Sequence, residues 1–66
     1  MVTGKVAEFS EPRGIGVVEA DGARFPFHCT QIADGTRAIQ VGIAVEFDVV
    51  PGRQGDWEAV RIKQVR

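Results

Sequence analysis

Hydrophobic and polar positions alternate along most of the chain, and no stretch repeats its apolar residues at helical spacing. Alternation of this kind is typical of strands whose two faces meet different environments. Glycines, prolines and an Asp-Gly pair divide the chain into short segments. The pattern therefore predicts five strands, over residues 2–10, 15–20, 23–29, 43–50 and 57–65.

The connections between these strands carry residues suited to turns. Pro12 and Gly14 fit a turn after the first strand, and the Asp-Gly pair at 21–22 is typical of a tight hairpin. A longer irregular stretch, 30–42, follows the third strand, with one helical turn predicted near Gln31. Five short strands with one long excursion after the third predict an all-β fold, a small five-stranded antiparallel closed barrel.

The third strand has two distinct faces. Phe25 and Phe27 share one side, while Arg24, Pro26 and His28 share the other. Proline donates no backbone hydrogen bond, so this strand is expected to lie at an edge or a bulge.

In the last strand, strict alternation places Ala59 and Ile62 on opposite faces. The predicted core is formed by Val6, Val18, Phe25, Phe27, Val45 and Phe47.

Length and composition predict one small domain over residues 1–66. The chain is 44% hydrophobic, which supplies a core, but a domain of this size buries only about 60% of its unfolded surface. Its single cysteine allows no internal disulfide and fits the reducing cytoplasm. One Cys and one His do not make a four-ligand zinc site, and no cofactor is expected. Residues 1–12 contain no apolar run of signal-peptide length, and no run of about 18 apolar residues occurs in the sequence, so we expect no signal peptide and no membrane contact.

Charge and side-chain chemistry argue against two classes of function. A net charge of −1 excludes a strongly basic nucleic-acid binder, although it leaves room for a local basic face. His28 and Cys29 are neighbours on a predicted strand, where side chains point to opposite faces and cannot easily form a nucleophile–base pair. No convincing catalytic carboxylate pair is present, and we expect no enzymatic activity.

Four segments, GKVAEF, PRGIGVVE, FPFHCTQI and VGIAVEFDVVPGRQG, follow one another in an order that resembles the bacterial cold-shock domain. The resemblance covers nearly the whole chain and implies a barrel of the OB-fold type. The positions that match the family's scaffold are Gly4, Val6, Phe9, Gly14, Gly16, Val18, His28, Ile32, Gly42, Val45, Phe47, Gly52 and Gly55.

The resemblance also implies a surface on which unpaired DNA or RNA bases stack on aromatic rings while cations contact the phosphates. This chain departs from the family at that surface. Glu8, Ile15, Val17, Pro26 and Cys29 stand where the family has aromatic side chains, and the loop aromatic near 36–38 is also replaced. A loss of about 1 kcal/mol at each of five positions weakens binding more than a thousandfold.

We therefore predict weak, largely sequence-independent binding of single-stranded RNA or DNA, in the manner of an RNA chaperone. Phe9 and His28 are expected to stack on bases, although Phe9 could equally cover the end of the barrel. Ile15 and Val17 would give flat apolar support, and the basic side chains would contact phosphates. The predicted site residues are Lys5, Phe9, Arg13, Ile15, Val17, His28 and Arg37.

One alternative function stays open. In it, the barrel has lost nucleic-acid binding and uses Ile15, Val17 and Pro26 to contact a protein partner or a second copy of itself.

The placement of Trp57 is also open, since the family usually has no aromatic residue there. We expect it to fold over the base of the last hairpin and to be buried, the other possibility being an exposed, relocated stacking surface.

Overall fold

A computed structural model of the protein describes residues 2–33, 39–52 and 56–65. It contains the strands β1 (Val2–Ser10), β2 (Ile15–Ala20), β3 (Ala23–His28), β4 (Ala44–Pro51) and β5 (Trp57–Gln64), and a short 3₁₀ helix, Cys29–Gln31, after β3. All strand pairs are antiparallel, in the order β3-β2-β1-β4-β5. The predicted five-stranded all-β fold is confirmed, and each predicted strand boundary lies within one residue of the observed one.

The turns follow the chemistry that predicted them. Asp21 and Gly22 have φ angles of 52° and 79°, the pair of positive values that a type I′ hairpin turn needs. Gly14 also has a positive φ, and its N–H donates to the carbonyl of Ser10 at 2.8 Å. The helical turn expected near Gln31 is the 3₁₀ helix. These local signals fix where β1, β2 and β3 reverse direction.

The sheet curves so that its two outer strands, β3 and β5, come into contact. A parallel bridge between Ile32 and Ile62 also joins the segment after β3 to β5. Within the described segments no hydrogen-bonded ladder connects β3 with β5, so closure of the barrel is not confirmed and stays a prediction. Pro26 does lie on an outer strand, where a residue without an amide hydrogen is tolerated.

The core lies on the concave side of the sheet. Phe25, the one predicted core residue that is only half-buried, packs against it with its ring centroid 5.9 Å from that of Phe47. Pro26 and His28 are exposed, which confirms the predicted register of β3. Among the described residues, the buried apolar side chains are Val6, Val18, Ala20, Phe27, Ile32, Ile39, Val45, Phe47, Ala59 and Ile62.

A β-bulge at Ala7 changes which residues of β1 face the core. Val6 pairs with Val18 and Glu8 pairs with Val17, so Ala7 is one residue more than β2 supplies. Simple alternation from Val6 would turn Glu8 inward. The extra residue instead leaves Glu8 exposed and brings Phe9 onto the inner side, opposite Gly16.

A second bulge, in β5, makes the predicted alternation of that strand wrong. Glu46 pairs with Lys63 and Asp48 with Val60, so two residues of β5 oppose one of β4. Arg61, one of these two residues, has a left-handed φ of 53°. Ala59 and Ile62 are consequently both buried, although alternation assigns them to opposite faces.

The bulge residue Arg61 also forms an ion pair with a neighbouring carboxylate. Its Nε donates to Asp48 Oδ2 at 2.7 Å, and this hydrogen bond lowers the pKa of Asp48 below its ordinary value of 3.8. Because the folded-state pKa is depressed, the stabilisation is present above pH 3.8 and is lost as the pH falls through the folded-state value.

Asp48→Asn should therefore flatten the acid limb of the stability curve below pH 4, as measured by urea unfolding at several pH values. Glu46→Gln, on the same strand, is the matched control, because Glu46 forms no ion pair within the described residues. An acid limb that stays unchanged in Asp48→Asn would contradict the assignment.

Candidate functional site

Two rows of side chains cross the outward face of β1, β2 and β3. Strand register creates these rows, because residues that are directly paired lie side by side on the same face. The bulge at Ala7 is what brings Glu8 into the first of them. The rows are Glu8–Val17–Pro26 and Ser10–Ile15–His28.

A shallow groove lies over these rows and brings five of the seven predicted site residues together. Its lining is largely apolar in the middle, and charged side chains stand at the margins. Val17 and Ile15 form its floor on β2, and Pro26 extends that floor onto β3. The groove is lined by Glu8, Phe9, Ser10, Arg13, Ile15, Gly16, Val17, Pro26, Phe27, His28 and Glu58.

The other two predicted site residues are not part of the groove. Lys5 pairs in register with Glu19 and lines a separate depression that also includes Glu19 and Asp21. Two carboxylates beside it make this lysine a weaker phosphate contact than sequence alone suggests. Arg37 lies outside the described residues.

Phe9 contributes to both the groove and the core. Its ring is parallel to that of Phe27, with an interplanar angle of 5° and a centroid separation of 6.0 Å. The two rings meet across Gly16, which has no side chain to separate them. One face of Phe9 is therefore occupied by the protein itself, and only the remaining surface is open to a ligand.

The imidazole of His28 is oriented by the start of the 3₁₀ helix. Its Nδ1 accepts from the backbone N–H of Thr30 at 3.3 Å and lies 3.0 Å from Thr30 Oγ1. A ring nitrogen that accepts carries no proton, so the neutral ring presents Nε2–H as its donor. The ring is thus held at the rim of the groove with one donor available for a base or a phosphate.

Cys29 lies closer to this imidazole than strand alternation predicts. Its Sγ is 3.9 Å from His28 Nδ1, because β3 ends at His28 and Cys29 already belongs to the 3₁₀ helix. The expectation that the two side chains point to opposite faces is wrong for this reason. The nearby nitrogen is already engaged by Thr30, so the contact does not form an activated nucleophile pair.

The electrostatics of the groove are mixed. Arg13 is exposed and forms no ion pair within the described residues. Glu8 Oε2 accepts from Arg24 Nη2 at 2.7 Å, and Arg24 Nε is also 4.0 Å from Glu19. The repulsion of phosphate expected from Glu8 is therefore partly offset by the neighbouring guanidinium.

Glu58 is a groove residue that the sequence analysis missed. It stands at the start of β5 and reaches the groove because β5 approaches β3. Alternation within β5 contains no information about which distant strand it will meet. Among the described lining residues, Glu8 and Glu58 are acidic and Arg13 is the one arginine or lysine, so phosphate attraction at this groove is small.

Trp57 is exposed, contrary to the prediction that it is buried. Just over half of its surface, 54%, is accessible, because it is the first residue of β5 and precedes Ala59, the first buried residue of that strand. It pairs with Pro51 across the hairpin and lines a small depression with Arg24, Phe25, Pro26 and Asp56.

Strand order, turn positions and the outward apolar groove together define a small all-β domain of the oligonucleotide-binding OB type. A family model described as "'Cold-shock' DNA-binding domain" matches residues 2–65. The chain belongs to the cold-shock domain family. The resemblance found in the sequence is therefore confirmed.

Individual relatives agree with this assignment. The cold shock-like protein CspA of Stigmatella aurantiaca is 38% identical over 58 residues, which cover 83% of this chain and 85% of the relative. The cold shock protein CspA of Staphylococcus aureus is 37% identical, with 96% of this chain and 98% of the relative covered. Among solved structures, drosophila Unr CSD456 superposes with a TM-score of 0.80 at 31% identity, covering 98% of this chain and 26% of that one.

Within residues 2–33, 39–52 and 56–65, no three His, Cys, Asp or Glu side chains are grouped so that they could hold a metal ion. The same residues form no helix with the length and hydropathy of a membrane span.

Proposed function

We propose that the protein binds single-stranded RNA or DNA weakly and with little sequence preference, through the groove on the outward face of β1, β2 and β3. The observation that carries the proposal is the continuous floor formed by Ile15, Val17 and Pro26, with His28 and Arg13 at its rim. Flat apolar side chains support a base through van der Waals contact, and a sequence-tolerant site needs no base-edge reader.

The same groove accounts for the weakness of binding in this proposal. Phe9 offers only part of its ring, and the strongest stacking side chains of the family are absent. Arg13 attracts phosphate, but Glu8 and Glu58 oppose it. We expect dissociation constants in the micromolar range or weaker, since few bases stack and each contributes about 1–3 kcal/mol.

A titration at two salt concentrations tests this function. A fluorescently labelled oligothymidine is titrated with the protein and followed by anisotropy, and a labelled duplex of the same length is the control ligand. Binding to the single strand that weakens as salt increases supports the proposal, because counterions are released from the phosphates. Nanomolar binding at physiological salt, or no preference for the single strand, would contradict it.

Arg13→Ala should lower the slope of log K against log salt by about 0.7, the value for one single-strand phosphate contact. Lys63→Ala is the matched control, because Lys63 is exposed on β5 and does not line the groove. Lys5→Ala should change the slope less than Arg13→Ala, since Lys5 lies beside Glu19 and Asp21. Equal slopes for Arg13→Ala and Lys63→Ala would exclude a specific role for Arg13.

A second candidate function is contact with a protein partner or a second copy through Ile15, Val17 and Pro26. The observation in its favour is the acidic pair Glu8 and Glu58, which opposes a polyanion but not a protein. An apolar protein contact responds little to salt, so the same titration separates the two functions. Single-strand affinity that is absent at low salt would favour the protein contact.

We also propose that the sheet closes into a barrel. Contact between β3 and β5 and the bridge between Ile32 and Ile62 support closure. Slow amide hydrogen exchange at the facing edges of β3 and β5 would be the expected result, and fast exchange at both edges would contradict closure.

A further inference from the structure

Trp57 offers a large flat surface that the proposed function has not used. It is the only tryptophan of the chain, and more than half of the residue's surface is exposed. An exposed indole is an uncommon feature on a small domain, and it is the side chain with the largest π-surface for stacking. Its position at the start of β5 places it beside β3.

The surface around Trp57 is continuous with the groove. Pro26 lines both the groove and the small depression that contains Trp57. Glu58, the next residue along β5, lines the groove as well. A strand that leaves the groove over Pro26 therefore meets the indole of Trp57 next.

Charge around Trp57 favours a neutral group over a phosphate. Asp56 lines the depression, and its carboxylate repels a phosphate. Arg24 also lines it, but its guanidinium is hydrogen-bonded to Glu8 and lies near Glu19. A nucleobase satisfies these constraints because its face is apolar, while its edge can meet the carboxylate of Asp56 or an N–H of Arg24.

One residue of the depression is anchored to the core. Phe25 lines the depression, and its ring makes a tilted contact with that of Phe47, with the centroids 5.9 Å apart. A base stacked on Trp57 would therefore rest against a surface anchored to the core.

We propose that Trp57 forms a base-stacking subsite at one end of the groove, reached by strands long enough to cross Pro26. The proposal rests on the proposed function and adds to it a position, a side chain and a length requirement. Short strands occupy Ile15 and Val17 alone, whereas longer ones also place a base on the indole.

Two labelled oligothymidines, of about three and about eight nucleotides, test the subsite, since one OB-type domain covers roughly 4–16 nucleotides. Binding is measured by anisotropy of the label, and the emission of Trp57 is recorded separately. The long strand should quench Trp57 on binding, and the short strand should bind with little quenching. Trp57→Leu should weaken the long strand on the order of tenfold and leave the short strand unchanged.

Two further variants complete the design. Trp57→Phe keeps a ring and should retain part of the affinity for the long strand. It also tests the subsite if Trp57→Leu fails to fold. Val41→Ala removes apolar surface at an exposed position outside both depressions and should change neither affinity.

The outcomes separate the subsite from the function on which it rests. Long-strand binding by anisotropy, without quenching and without an effect of Trp57→Leu, overturns the subsite and leaves the proposed function intact. No binding of either strand at low salt overturns both. Emission of Trp57 that changes with protein concentration alone would show that a second copy covers the indole, which also overturns the subsite.

Discussion

Ile15→Phe combined with Val17→Phe should tighten single-strand binding at least tenfold. Both side chains lie on the groove floor, in neighbouring rows of the outward face, so two new rings would be presented side by side. Each base that gains an aromatic partner contributes about 1–3 kcal/mol. Anisotropy titrations with a labelled oligothymidine measure the effect.

The salt slope and a displaced ring are the controls for this result. Stacking adds no phosphate contact, so the slope of log K against log salt should stay the same as the affinity increases. Val41→Phe places an equal ring on an exposed position outside the groove and should not change affinity. Unchanged affinity in the double variant would mean that the groove is not the binding surface, and the protein-contact function would then be favoured.

Glu8→Trp, added to the double variant, should tighten binding further for two separate reasons. It contributes another ring in the row with Val17 and Pro26, and it releases Arg24 from its hydrogen bond with Glu8. The freed guanidinium adds a cation, so this step, unlike the first, should steepen the salt slope.

Gly16→Ala should cost about 3 kcal/mol of stability, at the upper end for overpacking in a core. A methyl group at this position would lie 2.6 Å from the backbone oxygen of Glu8 and 2.6 Å from Phe27 Cζ. A backbone oxygen cannot move aside without distorting β1, and the Phe27 ring is held by its stack with Phe9. Thermal unfolding should show a decrease in Tm of about 15 °C for a domain of this size.

Gly22→Ala separates crowding from backbone conformation. Gly22 has a φ of 79° and no heavy atom within 4 Å of the added methyl group, so its cost comes from the left-handed backbone alone. That cost is about 1 kcal/mol, well below the effect expected at Gly16. Equal destabilisation by the two variants would show that close contact at Gly16 is not the cause.

Local features of the fold could be predicted because the sequence contains their causes. Asp21 and Gly22 tolerate positive φ, so the hairpin between β2 and β3 follows from two adjacent residues. The alternation of Phe25, Pro26 and Phe27 likewise gave the faces of β3 without reference to any other strand. Ile15, Val17 and His28 were assigned to the site by the family resemblance, and the register of the hairpin between β2 and β3 is what pairs Ile15 with His28.

Features that depend on contacts between distant segments could not be predicted. The pairing of Glu8 with Arg24 needs the register across β1, β2 and β3 together with the bulge at Ala7. Glu58 reaches the groove only because the sheet curves until β5 meets β3. Trp57 is exposed because it precedes the first buried residue of β5, Ala59. Strand alternation does not indicate where along a strand the core begins or ends.

The extra residue in β1 makes the strand tolerant of a shorter chain at one defined point. Residues before Ala7 and residues after it are assigned to the two faces by opposite parity. Deleting Ala7 would leave Val6 opposite Val18 and Glu8 opposite Val17 in a regular ladder, so the ligand-facing and core-facing sets would both be kept. One residue can therefore be lost here without exchanging the two surfaces, whereas a deletion within a regular part of the strand would exchange them.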